Sequence, residues 1–129
     1  MPHKPLENLY RKRLGQFGEE LAKRYLHRLG LTFVESNYHL RNGQIDLIYT
    51  NSKHQLIFVE VKTRLDDYAE IRLSYRQAQA LRRTAWHFLQ NYLGPVLAWQ
   101  FDLIWIHLIW TEPGKATAKI KHLKNIFEQ

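Results

Sequence analysis

The sequence predicts an α/β domain in which a central mixed β-sheet is flanked by helices. Three observations carry this. Two segments place apolar residues at helical steps of three and four. The stretches between and after them alternate in polarity or run continuously apolar, as strands do. Their order is helix, three strands, helix, then more strands, which builds a layered α/β sandwich.

The first helix is expected from about Leu6 to Leu29. Tyr10, Leu14, Phe17, Leu21 and Tyr25 form its apolar stripe, with Gly18, Ala22, Leu26 and Leu29 beside it. Gly30 is a natural stop. Leu31–Glu35 reads as a short strand and Asn37–Gly43 as a polar turn. Gln44–Thr50 alternates, with Ile45, Leu47 and Tyr49 on one face. A second polar break precedes the strand Gln55–Thr63.

The second helix is expected from Ser74 to Leu93. Ser74 and Gln77 have capping-box spacing, and Gly94-Pro95 ends the pattern. Ala78, Leu81, Ala85, Phe88, Leu89 and Tyr92 mark its buried face. Val96–Trp110 is nearly all apolar, which predicts one or two strands covered on both sides. Glu112-Pro-Gly114 is a turn, and Lys119–Leu123 a last edge strand.

The chain has 129 residues, enough for one domain. With 45% hydrophobic residues it can build a core. It contains no cysteine, which excludes a disulfide scaffold and thiolate chemistry. The start, Met1 to Asn8, has no apolar run of signal-peptide length, and no segment is long enough to span a membrane. The expectation is a soluble, basic, cytoplasmic protein. Nineteen Lys and Arg against twelve Asp and Glu give a net charge of +7, which favours a polyanionic partner such as nucleic acid. Seven histidines show no paired ligand spacing, which argues against zinc.

The chemistry is concentrated on the strands 44–50 and 55–63. Glu60 and Lys62 interrupt a strongly apolar run and project from one face. Charges in such a run need a partner or a ligand. If the two strands form an antiparallel hairpin, one register pairs Ile45 with Val61, Leu47 with Val59 and Tyr49 with Ile57. The same register leaves Asn51–Gln55 as the loop, sets Gln44 against Lys62, and places Asp46 opposite Glu60. Their Cβ atoms would lie roughly 4.5–5.5 Å apart. Two carboxylates that close require a cation or a proton between them. Mg²⁺ suits such an oxygen pair. Lys62 either neutralises the two acids in a structural cluster or stabilises charge on a phosphate oxygen.

Gly15-Gln-Phe-Gly-Glu19-Glu-Leu-Ala22, then Asn37…Gly43-Gln-Ile-Asp46-Leu-Ile48, then Phe58-Val-Glu60-Val-Lys62-Thr-Arg64 resembles the small bacterial YraN-like (UPF0102) family. The likeness runs from about Leu14 to the C-terminal strands. It implies a restriction-endonuclease-like, PD-(D/E)XK single domain, similar to archaeal Holliday-junction resolvases. By that resemblance Asp46 and Glu60 are metal ligands, Glu19 completes the metal site, Lys62 is the catalytic lysine, and Gln77 stands near the site. The implied cofactor is Mg²⁺ or Mn²⁺. The family usually has Glu where this chain has Gln44, and Arg where it has Gln100.

The implied function is metal-dependent endonuclease cleavage of DNA, with branched or damaged DNA as candidate substrates. A non-catalytic nucleic-acid-binding module and a protein-interaction domain are the alternatives. Arg64, Arg72, Arg76, Arg82 and Arg83 are candidate phosphate contacts, or a solvated face. Glu19 and Glu20 also fit surface pairs with Lys23 and Arg24. Exposed aromatics could stack on unpaired bases, although most have core spacing. Resolvase-like relatives often dimerise, which leaves a homodimer open by analogy.

Overall fold

A computed structural model describes residues 3–65 and 73–127. Arg72 lies outside the described residues. The elements are α1 (His3–Arg28), β1 (Thr32–Leu40), β2 (Gly43–Thr50), β3 (Gln55–Leu65), α2 (Tyr75–Asn91), β4 (Ala98–Glu112) and β5 (Lys115–Leu123). The five strands form one sheet in sequence order. Their four neighbouring pairs are three antiparallel and one parallel, β3 with β4. Parallel pairing needs a crossover, and α2 lies in it. The expected mixed sheet with a helix on each face is therefore present. No helix among the described residues is long and apolar enough to cross a membrane.

The sheet separates two cores. On one face Ala22 and Leu26 of α1 pack on Leu47, Tyr49, Ile57, Val59, Ile104 and Ile106. On the other, Leu81, Ala85 and Phe88 of α2 pack on Ile48, Leu56, Phe58 and Phe101. Neighbouring β3 residues thus serve opposite layers, as the period of two requires. The continuous apolar run in β4 follows from cover on both faces, with Ile104, Ile106 and Leu108 in one core and Phe101 in the other.

α2 begins as its sequence predicts. Ser74 N donates to Gln77 Oε1 at 2.8 Å, and Gln77 N donates to Ser74 Oγ at 3.1 Å. This reciprocal pair satisfies two donors that a helix start leaves open. The helix ends at Asn91 rather than Leu93, whose side chain is fully exposed.

Three expectations change. The polar segment after Glu35 continues as strand to Leu40, and the turn shrinks to Arg41-Asn42. Backbone pairing with β2 outweighs its polarity, because β1 is an edge strand with an exposed side. In α1, Tyr10, Phe17 and Leu29 stay exposed. The helix docks instead through Gly18, Ala22 and Leu26, the narrow side that can approach the sheet closely. Finally, Ile45 does not share a face with Leu47 and Tyr49. It packs with Leu81 and Phe88 on the α2 side.

Candidate active site

The displaced Ile45 explains how the acidic residues are presented. The expected hairpin register holds for Leu47↔Val59, Ile48↔Phe58 and Tyr49↔Ile57. The described ladder stops there. Beyond Leu47 the Asp46 side chain takes over a backbone role, with Val61 N donating to Asp46 Oδ2 at 2.8 Å. On its other edge, β2 pairs Leu47 with Ser36 and Ile45 with Tyr38, so Asn37 faces Asp46. Asn37 has φ +52°, a left-handed conformation that asparagine tolerates better than most residues. β2 turns over opposite this residue.

Gln44 ties the same point together. Its Nε2 donates to Asn37 Oδ1 at 3.3 Å and to Asp46 Oδ1 at 3.4 Å. Both Asp46 oxygens therefore accept a hydrogen bond. The Glu60 carboxyl group lies within electrostatic reach of Asp46. Burial, followed by Asp46, raises the Glu60 pKa to about 9; Lys62 opposes this and Glu19 adds to it. Lys62 Nζ lies 3.9 Å from Glu60 Oε2, a loose ion pair.

Glu19 joins from the opposite layer. Gly18 packs so tightly on β3 that a Cβ there would lie 1.8 Å from Thr63 Oγ1. That approach sets Glu19 beside the acidic pair. Its pKa is raised by burial and then by the charge of Asp46. Glu20 makes the surface pair with Lys23, at 3.3 Å and three residues' spacing. The surface reading of the two glutamates thus applies to Glu20.

These groups open into a cavity of about 960 Å³. Its described walls carry Glu19, Asp46 and Glu60 together with Arg11, Lys62 and Arg64. The Asp46, Glu60, Lys62 and Glu19 constellation is brought together as expected. Gln77 is not among the described walls, and its side-chain oxygen is used in the α2 cap. Arg76 is exposed and lines no described cavity; Arg82 and Arg83 line a different one. Sequence reasoning missed Arg11, which stands seven residues before Gly18 and so on the same side of α1. It also missed Asn37 as a shaping residue, although its type signals left-handed backbone.

The donor set is all oxygen, which suits a hard divalent cation such as Mg²⁺ or Mn²⁺. Among the described residues, no three His, Asp or Glu side chains are gathered closely enough to ligate one ion together. The part that fits is the pair Asp46 and Glu60. Two adjoining carboxylates suit an ion that keeps several waters. Glu19 is a neighbour in charge rather than a third ligand in place.

Residues 18–106 match the model described as "Uncharacterised protein family UPF0102". The chain belongs to the UPF0102 family. Among UPF0102 proteins, one from Chloroflexus aurantiacus is 37% identical over 95 residues, covering 73% of this chain and 78% of its own length. One from Shewanella sediminis is 45% identical over 94 residues, covering 70% and 78%. A third, from Desulforamulus reducens, is 32% identical over 122 residues and covers 92% and 98%. The span matched to UPF0102 contains Glu19, Asp46, Glu60, Lys62 and Gln77.

Proposed function

We propose that this UPF0102 protein is a divalent-metal-dependent endonuclease acting on DNA in the cytoplasm, on a restriction-endonuclease-like domain. The observation that carries the reading is the pairing of Asp46 with Glu60 beside Lys62, in a cavity also lined by Arg11 and Arg64. A purely structural cluster would satisfy its acids internally. Here Val61 N and Gln44 donate to Asp46, but a loose lysine contact is the ion pair made by its acidic neighbour Glu60.

Asp46 and Glu60 would hold Mg²⁺ or Mn²⁺, with Glu19 reaching toward it. The bound ion would supply Lewis-acid polarisation of the phosphodiester and acidify an attacking water. The chain's own residues do the rest. Val61 N and Gln44 hold Asp46 in one orientation. The Lys62 ammonium stabilises charge that develops on a phosphate oxygen. Arg11 and Arg64 hold the flanking phosphates, where their charge positions the strand without reading bases.

The test is cleavage of branched and linear DNA in Mg²⁺ by wild type and Lys62→Ala. Loss of one charge stabiliser predicts a rate reduced by about 10²–10³-fold. Equal cleavage by both proteins would remove Lys62 from its role. Salt-dependent DNA binding with no cleavage in Mg²⁺ or Mn²⁺ would select a binding module instead.

A further inference from the structure

A second concavity, of about 770 Å³, lies along the outer face of α2. Its described walls include Leu40, Arg82, Arg83, Trp86 and Trp99. Trp86 is 63% exposed and Trp99 42%. Large aromatic rings grouped in an exposed groove mark an interaction site more often than a solvated surface. Trp99 is braced from below, its ring edge-on to Phe58 at 5.8 Å. Arg82 is braced as well, its guanidinium 4.5 Å from the Phe127 ring centroid. The described walls contain no carboxylate.

We infer that this groove binds an unpaired stretch of a DNA strand, with bases stacked on Trp86 and Trp99 and phosphates on Arg82 and Arg83. The inference rests on the nucleic-acid reading above and names its substrate class. Indole faces accept any base by stacking, and guanidinium groups pair with phosphate. The arginines, the absence of described wall carboxylates and the net charge of +7 all complement a polyanion. A paired duplex presents no free base faces to the rings, so the occupant is single-stranded. The groove and the acidic cavity share no described wall residue. A DNA with both paired and unpaired parts can therefore engage each separately.

The experiment measures binding by anisotropy in EDTA, where cleavage cannot intervene. The probes are a labelled oligothymidylate of about 12 nucleotides, within the usual site size, and a duplex of equal length. Trp86 is exposed, so Trp86→Ala retains the fold. It weakens single-strand binding about 5- to 100-fold with an unchanged salt slope. Trp86→Phe restores most of the affinity. Arg83→Ala weakens binding and flattens the salt dependence.

Equal affinity of wild type and Trp86→Ala for the single strand overturns the groove and leaves the nuclease reading standing. Failure of wild type to bind the single strand in EDTA overturns the groove, while cleavage in Mg²⁺ tests the nuclease reading independently. A Trp86→Ala effect on oligomeric state, with DNA binding unchanged, assigns the groove to a second copy of the chain and overturns the proposal.

Discussion

Asp46 and Asp102 begin alike and end differently. Each follows a glutamine by two residues on an interior strand, and each accepts from that glutamine, at 3.4 and 2.9 Å. Asp102 is 2% exposed and surrounded by donors. His122 Nε2 lies 2.7 Å from its Oδ2, and Asn125 N donates to its Oδ1 at 2.9 Å. His122 in turn meets the Tyr25 hydroxyl at 3.0 Å. The network braces α1, β4, β5 and the segment after it. Asp46 has a second carboxylate for a neighbour and a cavity in front of it. A buried acid whose donors are all supplied is a structural member. One set against another acid retains a demand that an external cation can meet.

That contrast makes unequal predictions for equal substitutions. Asp102→Ala removes one side of a buried network and leaves His122 and Asn125 N without their acceptor. The expected loss is about 3 kcal/mol in urea denaturation. Asp46→Ala removes the Val61 N bond but also the opposition to Glu60, and is expected to cost less than about 1 kcal/mol while abolishing cleavage. Equal costs for the two would dissolve the distinction.

Gly18→Ala probes the joint between the halves of the site. The new methyl group meets Thr63 and forces α1 outward, at a cost of about 1–3 kcal/mol. Cleavage should fall because Glu19 moves, although no charged group has changed. Unaltered activity at reduced stability would exclude Glu19 from the chemistry.

The last prediction concerns pH. In the folded protein Glu60 titrates near 9, against an ordinary value near 4.5. The folded state therefore binds the extra proton between these values. The stability from this group is fully present below about pH 4.5 and is lost as pH rises through about 9. Glu60→Gln keeps a neutral side chain throughout. Its thermal midpoint should fall less than that of wild type across this window. Parallel curves would mean that the two acids do not oppose each other.

Periodicity made both helices and the β2–β3 register from Leu47 onward legible, because burial on a sheet face admits few alternatives; the expected pairs of Gln44, Ile45 and Asp46 with Lys62, Val61 and Glu60 are not part of the described ladder. The interruption of an apolar run by Glu60 and Lys62 likewise pointed to the site. The same signal is present at Asp102 within Phe101–Trp110, yet there it marks a brace. The type of residue revealed the demand for partners; which partners arrive depended on His122 and Asn125, some twenty residues away. The turning-over of β2 was illegible for a related reason. It falls opposite the left-handed Asn37 across the sheet, and alternation within one strand carries no record of its neighbour. The docking face of α1 was legible through Leu14, Leu21, Tyr25, Ala22 and Leu26, whereas Phe17 has the right spacing but stays exposed because the sheet accepts the small Gly18 beside it.

The left-handed residue at Asn37 gives the edge strand an unusual responsibility. β1 contributes no acid and no base to the proposed site, yet the shape of the site begins there. An edge strand is also where a sheet meets other chains most readily. A partner that straightened Asn37 by pairing along β1 would act on Asp46 from behind, through backbone geometry alone. The least chemical strand of the molecule thus stands behind the residues proposed to do its chemistry.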